Sequence, residues 1–290
     1  MIEGAFSGLC RIAALVSTEP GRRESLFTAK HRKTIIQPME SGSSMSALED
    51  YLFQSPFEGG SMRCAFEGLG ELRGLSVLDA GCGHGSFSLY AAQKGADSTA
   101  LDVQMSRLRF VTEMSVKAGL SMSCVCGRSE ELPFPDGSFD LVLSRSTLQY
   151  TEISRATGEL TRVLKPGGAL VLVENMARNP FLLLFRAFRG MTGNRIRIGP
   201  YTGNKAGAIK RYATVSMMKN LSSGLIESGN CFCHLFRPVS LGLCHATDRT
   251  PWAMKLDRAV ERLDSFLLRK IPFLQRYSWA GAVWGRKPLR

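Results

Sequence analysis

Apolar residues follow two alternating patterns from about residue 75 to the C-terminus. Short apolar runs predict β-strands, and segments with apolar residues three or four apart predict helices between them. The expected strands are Leu75–Asp79, Asp97–Asp102, Met122–Cys126, Phe139–Ser144, Ala169–Glu174, Cys231–Phe236 and Tyr277–Gly285. The expected helices are Phe87–Lys94, Gln104–Ala118, Thr151–Leu164, residues 213–227 and Trp252–Lys270. This alternation predicts an α/β protein.

The N-terminal part of the chain departs from this alternation. Residues 1–45 mix Gly, Ser, Pro, Arg and Lys with little periodicity, which predicts a loosely ordered extension. Glu3 argues against a secretory leader. Residues 46–72 predict two short helices around a Ser-Pro-Phe-Glu-Gly-Gly turn that starts at Ser55.

The helix predicted at Trp252–Lys270 has the clearest periodicity in the C-terminal part. Its apolar residues Leu256, Val260, Leu263 and Leu267 recur close to the helical repeat. We expect this stripe to pack on the core and its charges to form an ordinary solvated face.

A strand, a glycine-rich turn and a helix start follow one another at Leu75–Phe87. Three glycines stand directly after Asp79 in the pattern Asp-x-Gly-x-Gly-x-Gly. Such a turn exposes backbone N–H groups at a helix N-terminus, and the missing Cβ atoms let a ligand approach. A nicotinamide dinucleotide is disfavoured because its third fingerprint glycine would fall at Ser86. The turn therefore predicts a nucleotide-type site.

Asp102 lies at the end of the second predicted strand, 17 residues beyond Gly85. An acid at this place can accept hydrogen bonds from both hydroxyls of a ribose. An Asp before Val-Gln-Met-Ser-Arg-Leu is also a good helix N-cap. Ribose binding is the favoured role, and the two roles require different geometry.

The glycine turn and three later stretches together resemble the class I S-adenosylmethionine-dependent methyltransferases. The turn resembles motif I of that family. The later stretches are the acid at Asp102, the passage Gly127-Arg-Ser-Glu-Glu-Leu-Pro-Phe with Phe139-Asp, and Leu164-Lys-Pro-Gly-Gly. The resemblance covers about 100 residues and is closest to the type 11 group, which includes quinone and natural-product enzymes. It implies S-adenosyl-L-methionine as cofactor.

The resemblance also implies roles in cofactor binding. Glycines 81, 83 and 85 would approach its methionyl and adenosyl parts, Asp79 would support its amino group, and Asp102 would hold the ribose. The full cofactor set implied by the resemblance is Asp79, Gly81, Cys82, Gly83, Gly85, Asp102, Val103, Ser129, Glu130 and Ser144. One position departs from the family, because the acid expected near the adenine amino group is Arg128, which can accept no hydrogen bond. Ser129 and Glu130 would then read the adenine edge.

The acceptor side is predicted around the carboxyl end of the fourth strand. Arg145, Gln149 and Tyr150 are the candidates that orient an acceptor, and related enzymes commonly have histidines near the last two. Methyl transfer from a sulfonium needs mainly alignment, because the electrophile comes with the cofactor. Residues 46–60 would complete the pocket, and its candidate lid aromatics are Tyr51, Phe53 and Phe57.

The net charge of +12 is concentrated in one segment of the 290-residue chain. Nine Lys or Arg and no Asp or Glu lie between Glu174 and Glu227. This segment indicates an acceptor lid for an anionic substrate, then contact with an anionic membrane surface, then nucleic acid, in decreasing order. A solvated basic face without a partner is the remaining interpretation.

Eight cysteines without a secretory leader indicate a reducing, cytoplasmic location in which they remain thiols. The C-x-C pairs at Cys124 and Cys231 lack zinc-ribbon spacing, so no metal site is expected. No apolar run is long enough to span a bilayer.

The sequence as a whole predicts a Rossmann-like class I methyltransferase fold. A seven-stranded, mostly parallel sheet would carry helices on both faces and a basic insertion after strand five. After the 1–45 extension, residues 46–290 would form one domain, with cap helices at 46–72, the cofactor-binding core at 73–174, the acceptor-side insertion at 175–230, and C-terminal strands and a helix at 231–290.

The expected function is methylation of a hydrophobic or anionic small molecule of natural-product, quinone or lipid type. The alternatives are an RNA methyltransferase and a non-catalytic cofactor-binding module that serves a partner protein. The sequence does not specify the oligomeric state.

Overall fold

A computed structural model describes residues 52, 59–67, 69–184, 212–247 and 250–289. The predicted extension at 1–45 lies outside these residues, as do the aromatics Tyr51, Phe53 and Phe57. Most of the basic segment also lies outside them, including Arg195, Arg197, Lys205, Lys210 and Arg211. The described residues form two compact units. One holds residues up to 175 with 212–231 and 280–289, and the other holds 176–184 and 232–279.

Seven strands of the described residues form one sheet in the order β3-β2-β1-β4-β5-β7-β6. The strands are β1 (Ser76–Ala80), β2 (Asp97–Asp102), β3 (Ser123–Cys126), β4 (Phe139–Arg145), β5 (Leu164–Asn175), β6 (Ile226–Cys233) and β7 (Ala280–Arg286). The first five pair in parallel, and β7 runs antiparallel to β5. The predicted seven-stranded, mostly parallel sheet is confirmed.

The chain leaves β1 in two directions, because β1 pairs with β2 on one side and with β4 on the other. In a parallel sheet this arrangement opens a crevice beyond the carboxyl ends of the two central strands. Asp79, near the end of β1, is paired in register with Leu143 of β4. The glycine turn and the start of the acceptor segment therefore lie at the same edge of the sheet.

Among the described residues, seven α-helices have defined bounds. They are α1 (Gly59–Phe66), α2 (Ser86–Gln93), α3 (Met105–Lys117), α4 (Ile153–Arg162), α5 (Val215–Leu221), α6 (Arg237–Ala246) and α7 (Pro251–Lys270). Short 3-10 helices occur at Leu148–Tyr150 and Pro272–Tyr277.

Three local predictions were wrong. The turn expected at Gly59 and Gly60 is the start of α1, the helix expected at 213–227 ends at Leu221, and the sixth strand starts five residues before Cys231. Helix α6 was not predicted, because its short Arg-Pro-Val-Ser-Leu-Gly-Leu segment has too few turns to establish a helical period.

The core of the first unit lies on the central strands. Leu78, Leu141, Leu143 and Val171 are almost completely buried, and Phe87 of α2 packs on the same cluster as three of them. Burial of each such side chain contributes roughly 1.5–3 kcal/mol. Near-continuous apolar strands are typical of parallel sheets that are covered on both faces. This rigid core fixes the carboxyl edge on which the candidate site is built.

In the second unit, Asn179 connects three chain segments. Its side-chain carbonyl accepts from the N–H groups of Phe181 and Leu182, which caps a helical turn that begins at Pro180. Its side-chain amide donates to the carbonyls of His234, Leu235 and Tyr277. Asn179 is fully buried, so these contacts satisfy an amide that would otherwise be costly to bury.

The face of α7 that is buried differs from the predicted one. The buried residues are Ala253, Asp257, Asp264 and Leu268. Leu256 and Leu263 of the predicted apolar stripe are exposed. The two buried acids have partners: Asp264 accepts from backbone N–H groups at the start of α6, and Asp257 accepts from Arg237. These specific polar contacts set the orientation of the helix, which apolar spacing alone could not indicate.

Candidate active site

The glycine turn joins β1 to α2 with all three glycines in the left-handed region. The φ angles of Gly81, Gly83 and Gly85 are 80°, 58° and 72°. A Cβ on Gly81 would lie 2.2 Å from Thr147 Oγ1, and one on Gly85 would lie 2.6 Å from Val111 Cγ2. A Cβ on Gly83 would meet no atom of the described residues within 4 Å. The outer two glycines are therefore required for packing, and Gly83 presents open space in which a ligand could approach the backbone.

Asp79 is buried beneath this turn and binds the first turn of α2. Its Oδ2 accepts from the Ser88 backbone N–H at 3.1 Å and from the Ser88 hydroxyl at 2.6 Å. Burial raises the pKa of Asp79 to about 6, against the opposing influence of these hydrogen bonds and of Arg145. A carboxylate with so little solvent gains stability from a cationic partner.

Asp102, at the end of β2, already has three donors. Its Oδ2 accepts from Gly83 N–H at 3.0 Å and from the Arg107 guanidinium at 3.3 Å, and its Oδ1 accepts from Gln104 N–H at 2.9 Å. The alternative prediction that Asp102 is the N-cap of α3 is wrong, because the N-cap residue is Gln104 and no described side chain caps this helix. Two carboxylate oxygens offer about four acceptor sites. One site on Oδ1 is therefore left for a ligand hydroxyl, and a second requires Arg107 to move or share.

Ser129 and Glu130 lie buried in the loop after β3. Glu130 Oε1 accepts from Arg128 at 3.2 Å and from Glu152 N–H at 3.3 Å. The departure from the family at Arg128 thus forms an ion pair with the neighbouring acid. Because the Arg128 side chain is about half exposed, this pair adds little stability.

This loop is held by α4, through two residues that the sequence reasoning did not select. Glu159 Oε2 accepts from Leu132 N–H at 2.8 Å, and Arg162 donates to the carbonyls of Leu132 and Phe134. Arg162 also donates to both oxygens of Glu159, which lowers the pKa of that carboxyl to about 2. The spacing of Glu159 and Arg162 on one helical face was the available signal.

The acceptor candidates follow β4. Arg145 donates to Ser86 Oγ at 2.7 Å and thus lies against the start of α2. Gln149 is buried; its amide donates to the Ser146 carbonyl at 2.8 Å, and its Oε1 has no hydrogen-bond partner among the described residues. Tyr150 is half-buried at the end of the 3-10 helix. All three lie on the segment at the carboxyl end of β4.

Glu174 positions that segment and was also missed. Its Oε1 accepts from the backbone N–H groups of Thr147 and Leu148 at 2.9 and 2.8 Å. The Thr147 hydroxyl lies 3.2 Å from the Gly81 carbonyl oxygen and 3.1 Å from that of Arg145, and it can donate to either. Glu174 therefore connects β5 to the acceptor segment, and Thr147 connects that segment to the glycine turn.

The remaining predicted cofactor residues have different environments. Cys82 is buried, and burial raises the pKa of its thiol well above the ordinary value, so it stays protonated. Val103 is exposed next to Asp102. Ser144 is fully buried, and no described residue forms a hydrogen bond with its hydroxyl. Cys64 of α1 and Cys231 of β6 have their sulfur atoms 2.6 Å apart.

The crevice fits a nucleoside-bearing cofactor on three observations. Within the part of the chain that the structure describes, the Gly83 face is open, Asp102 retains an acceptor site beside it, and the buried polar atoms Ser144 Oγ and Gln149 Oε1 lack partners. Buried polar groups are normally hydrogen-bonded, so such atoms at one edge of a sheet indicate a place for a polar ligand.

Residues 78–172 match the family model described as a methyltransferase domain. Over 103 residues the chain is 41% identical to malonyl-[acyl-carrier protein] O-methyltransferase from Pseudescherichia vulneris. The aligned residues make up 35% of this chain and 39% of that protein. Over 111 residues it is 35% identical to a fatty-acid O-methyltransferase from Mycolicibacterium smegmatis. These residues make up 37% of this chain and 40% of that protein. The chain thus spans less than half the length of these curated relatives.

The fold has solved counterparts. An S-adenosylmethionine-dependent methyltransferase from Mesorhizobium loti superposes with a TM-score of 0.51 at 21% identity, over 81% of this chain and all of that one. At this identity the likeness concerns the fold alone. Residues 78–172 therefore match a methyltransferase-domain family, and the described residues share the fold of a solved S-adenosylmethionine-dependent methyltransferase.

Proposed function

We propose that this protein transfers the methyl group of S-adenosylmethionine to a small-molecule acceptor. The observation that carries the proposal is the open, left-handed Gly83 whose N–H donates to Asp102. This arrangement fixes a carboxylate beside a backbone that a ligand can approach closely. The match over residues 78–172 supports it independently.

When bound, the cofactor supplies an electrophilic methyl group. In our proposal Asp79 supports its amino group, because a desolvated carboxylate benefits from a positive neighbour. Asp102 accepts from the ribose, and Ser129 and Glu130 lie near adenine. Cys82, Val103 and Ser144 complete the walls of the site.

The acceptor that we propose is hydrophobic or anionic, of natural-product, quinone or lipid type. Two curated relatives are named for acyl substrates, malonyl-[acyl-carrier protein] and fatty acid, which supports a lipid-like acceptor. Gln149 and Tyr150 would orient it, and Arg145 would offer a cation to an anionic group. Alignment of this kind supplies much of the rate in a displacement that needs little further chemistry.

A non-catalytic cofactor-binding module is the second candidate. The ion pair of Arg128 with Glu130 favours this candidate, because Glu130 already accepts from Arg128 and would otherwise face adenine. It predicts binding of the cofactor without turnover.

Within the described residues, no helix is both long and apolar enough to cross a bilayer. The cytoplasmic location inferred from the sequence stays a prediction.

The test is titration of Asp102→Asn with S-adenosylhomocysteine, with Asp97→Asn as matched control. Asp97 is exposed at the other end of the same strand, so its substitution should leave affinity unchanged. We expect Asp102→Asn to weaken binding by about tenfold or more, as lost charge-assisted hydrogen bonds do. Equal affinities for both variants, with melting temperatures like that of the parent, would remove the ribose assignment.

Turnover is measured separately with methyl-labelled cofactor and a panel of fatty acids, acyl thioesters and quinols. Transfer to any of them supports the enzyme. Tight cofactor binding without transfer to this panel or to a cell extract would favour the non-catalytic module.

A further inference from the structure

Helix α7 exposes a row of apolar side chains on the side opposite its buried acids. Trp252 and Phe266 are each 54% exposed, and Leu256 and Leu263 lie between them at helical spacing. Ile271 and Phe273 extend the apolar surface beyond the last turn. Single exposed apolar residues are ordinary, whereas a contiguous row indicates an interaction surface.

The charges of α7 are separated by sign. Its five cations, Lys255, Arg258, Arg262, Arg269 and Lys270, are all exposed. Its three acids are Asp257, Glu261 and Asp264, and none of them is exposed. Arg237 pairs with Asp257 and Glu261, and Asp264 binds backbone N–H groups of α6. The outer face of this 20-residue helix is therefore apolar and cationic without a compensating exposed acid.

We propose that the outer face of α7 docks on an anionic lipid surface. A helix with an apolar stripe flanked by Lys and Arg lies in the plane of the interface, and anionic headgroups bind its cations. Trp252 at one end of the helix is suited to the headgroup region because its ring is amphipathic. The helix is about 30 Å long, which gives one extended face and not a pocket.

Charge argues against the other occupants of this face. A second copy of the chain would bring cations against cations. Nucleic acid would satisfy the cations but would leave Leu256 and Leu263 exposed, since aliphatic side chains do not stack on bases as aromatics do. An anionic bilayer satisfies both properties at once.

The test is cosedimentation of the full chain with vesicles of phosphatidylcholine alone or mixed with phosphatidylglycerol. We expect binding to the anionic vesicles only, weakened by salt because headgroup attraction is screened. Arg258→Glu with Arg262→Glu should lower it by about tenfold or more. The control pair Arg109→Glu with Lys117→Glu, on exposed positions of α3, has the same charge change and should bind like the parent.

Two variants separate the apolar contribution. Phe266→Ser should lower vesicle binding severalfold, and Val116→Ser, on an exposed apolar residue of α3, should not. Trp252 is the exposed one of the three tryptophans, so its emission should shift to shorter wavelength on anionic vesicles, and Trp252→Phe should abolish the shift.

Three results would overturn the proposal. They are absence of binding to anionic vesicles, binding that both α7 variants leave intact, and a dimer in solution that Phe266→Ser dissociates. Cofactor affinity is measured on the same preparations, and all α7 variants should retain it, so failure of this proposal is distinguishable from failure of the methyltransferase assignment.

Discussion

The two sides of the crevice differ in how completely their polar groups are satisfied. On the β1–β2 side, Asp102 accepts from three donors and Asp79 from two, before any ligand is considered. On the β4 side, Ser144 Oγ and Gln149 Oε1 are buried and have no partner in the described part of the chain. One side is rigid and preorganised, and the other retains unmet hydrogen-bonding capacity.

This difference is consistent with the two tasks of a transferase. A cofactor shared by many enzymes can be bound by a backbone turn whose geometry is fixed in advance, which reduces the entropic cost of binding. An acceptor is particular to each enzyme, and its polar groups can supply the partners that the β4 side lacks. The two sides meet at Thr147, whose hydroxyl lies 3.2 Å from the Gly81 carbonyl oxygen.

The largest effect is expected from Gly81→Ala, which separates the two sides. The new Cβ would collide with Thr147 Oγ1, Cγ2 and Cβ at 2.2 to 2.8 Å. We expect binding of S-adenosylhomocysteine to fall by about 100-fold or more, with a lower melting temperature, since overpacking of a rigid site is costly.

The matched control for Gly81→Ala is Gly119→Ala. Its φ is also positive, at +64°, but no atom lies within 4 Å of the added Cβ. It should cost only the left-handed strain of about 1–2 kcal/mol and leave affinity unchanged. Equal affinity losses in both variants would mean that contact between the two sides is unimportant.

Asp79→Asn should affect affinity and stability in opposite directions. Loss of the carboxylate should weaken cofactor binding by about tenfold. The pKa of Asp79 is raised by burial from 3.8 to about 6, so the folded state binds its proton more strongly than the unfolded chain does. The stabilisation from protonation is present at low pH and is lost as the pH rises through about 6, at a cost of up to about 3 kcal/mol.

Denaturant titrations at pH 4 and pH 8 measure this directly. The free energy of unfolding of the variant minus that of the parent should be about 1–3 kcal/mol larger at pH 8 than at pH 4. The reason is that Asn is neutral at both pH values, whereas Asp79 ionises between them. The Asn side-chain oxygen can still accept from Ser88. A difference that does not change with pH would show that Asp79 is not desolvated as described.

Glu174→Ala should disturb the acceptor side while leaving the cofactor side largely intact. It removes the acceptor of two backbone N–H groups that precede Gln149 and Tyr150. We expect turnover to fall by about tenfold with cofactor affinity within about threefold, since positioning errors act mainly on the rate. Glu174→Gln retains an acceptor oxygen and should restore most of the rate. Parallel losses of affinity and rate in the Ala variant would contradict the separation of the two sides.

The smallest effect is expected from Ser144→Ala. Its hydroxyl has no partner among the described residues, so its removal should not lower the free energy of unfolding. Ser88→Ala is the comparison, because its hydroxyl donates to Asp79 at 2.6 Å and should cost about 1–2 kcal/mol. Equal costs in a denaturant titration would mean that Ser144 is satisfied like the residues of the other side.

The glycine turn and the order of strands were predictable because their signals are local. Three glycines after a strand specify a backbone conformation, and Asp102 follows at a spacing that one helix and one strand determine. The contacts of Glu174 with Thr147 and of Arg162 with Leu132 join residues 27 and 30 positions apart. No local period reveals such pairs. The buried face of α7 was mistaken for the same reason, since its acids are buried by partners on α6.

Every role proposed for the crevice requires that the glycine turn binds the cofactor. Calorimetric titration of the full chain with S-adenosylhomocysteine tests this without knowledge of the acceptor. We predict saturable binding near one site per chain, stronger at pH 8 than at pH 5 because the Asp79 carboxylate must be ionised. Absence of detectable binding by a folded protein would contradict the account, because the preorganised side of the crevice would then have no ligand to explain it.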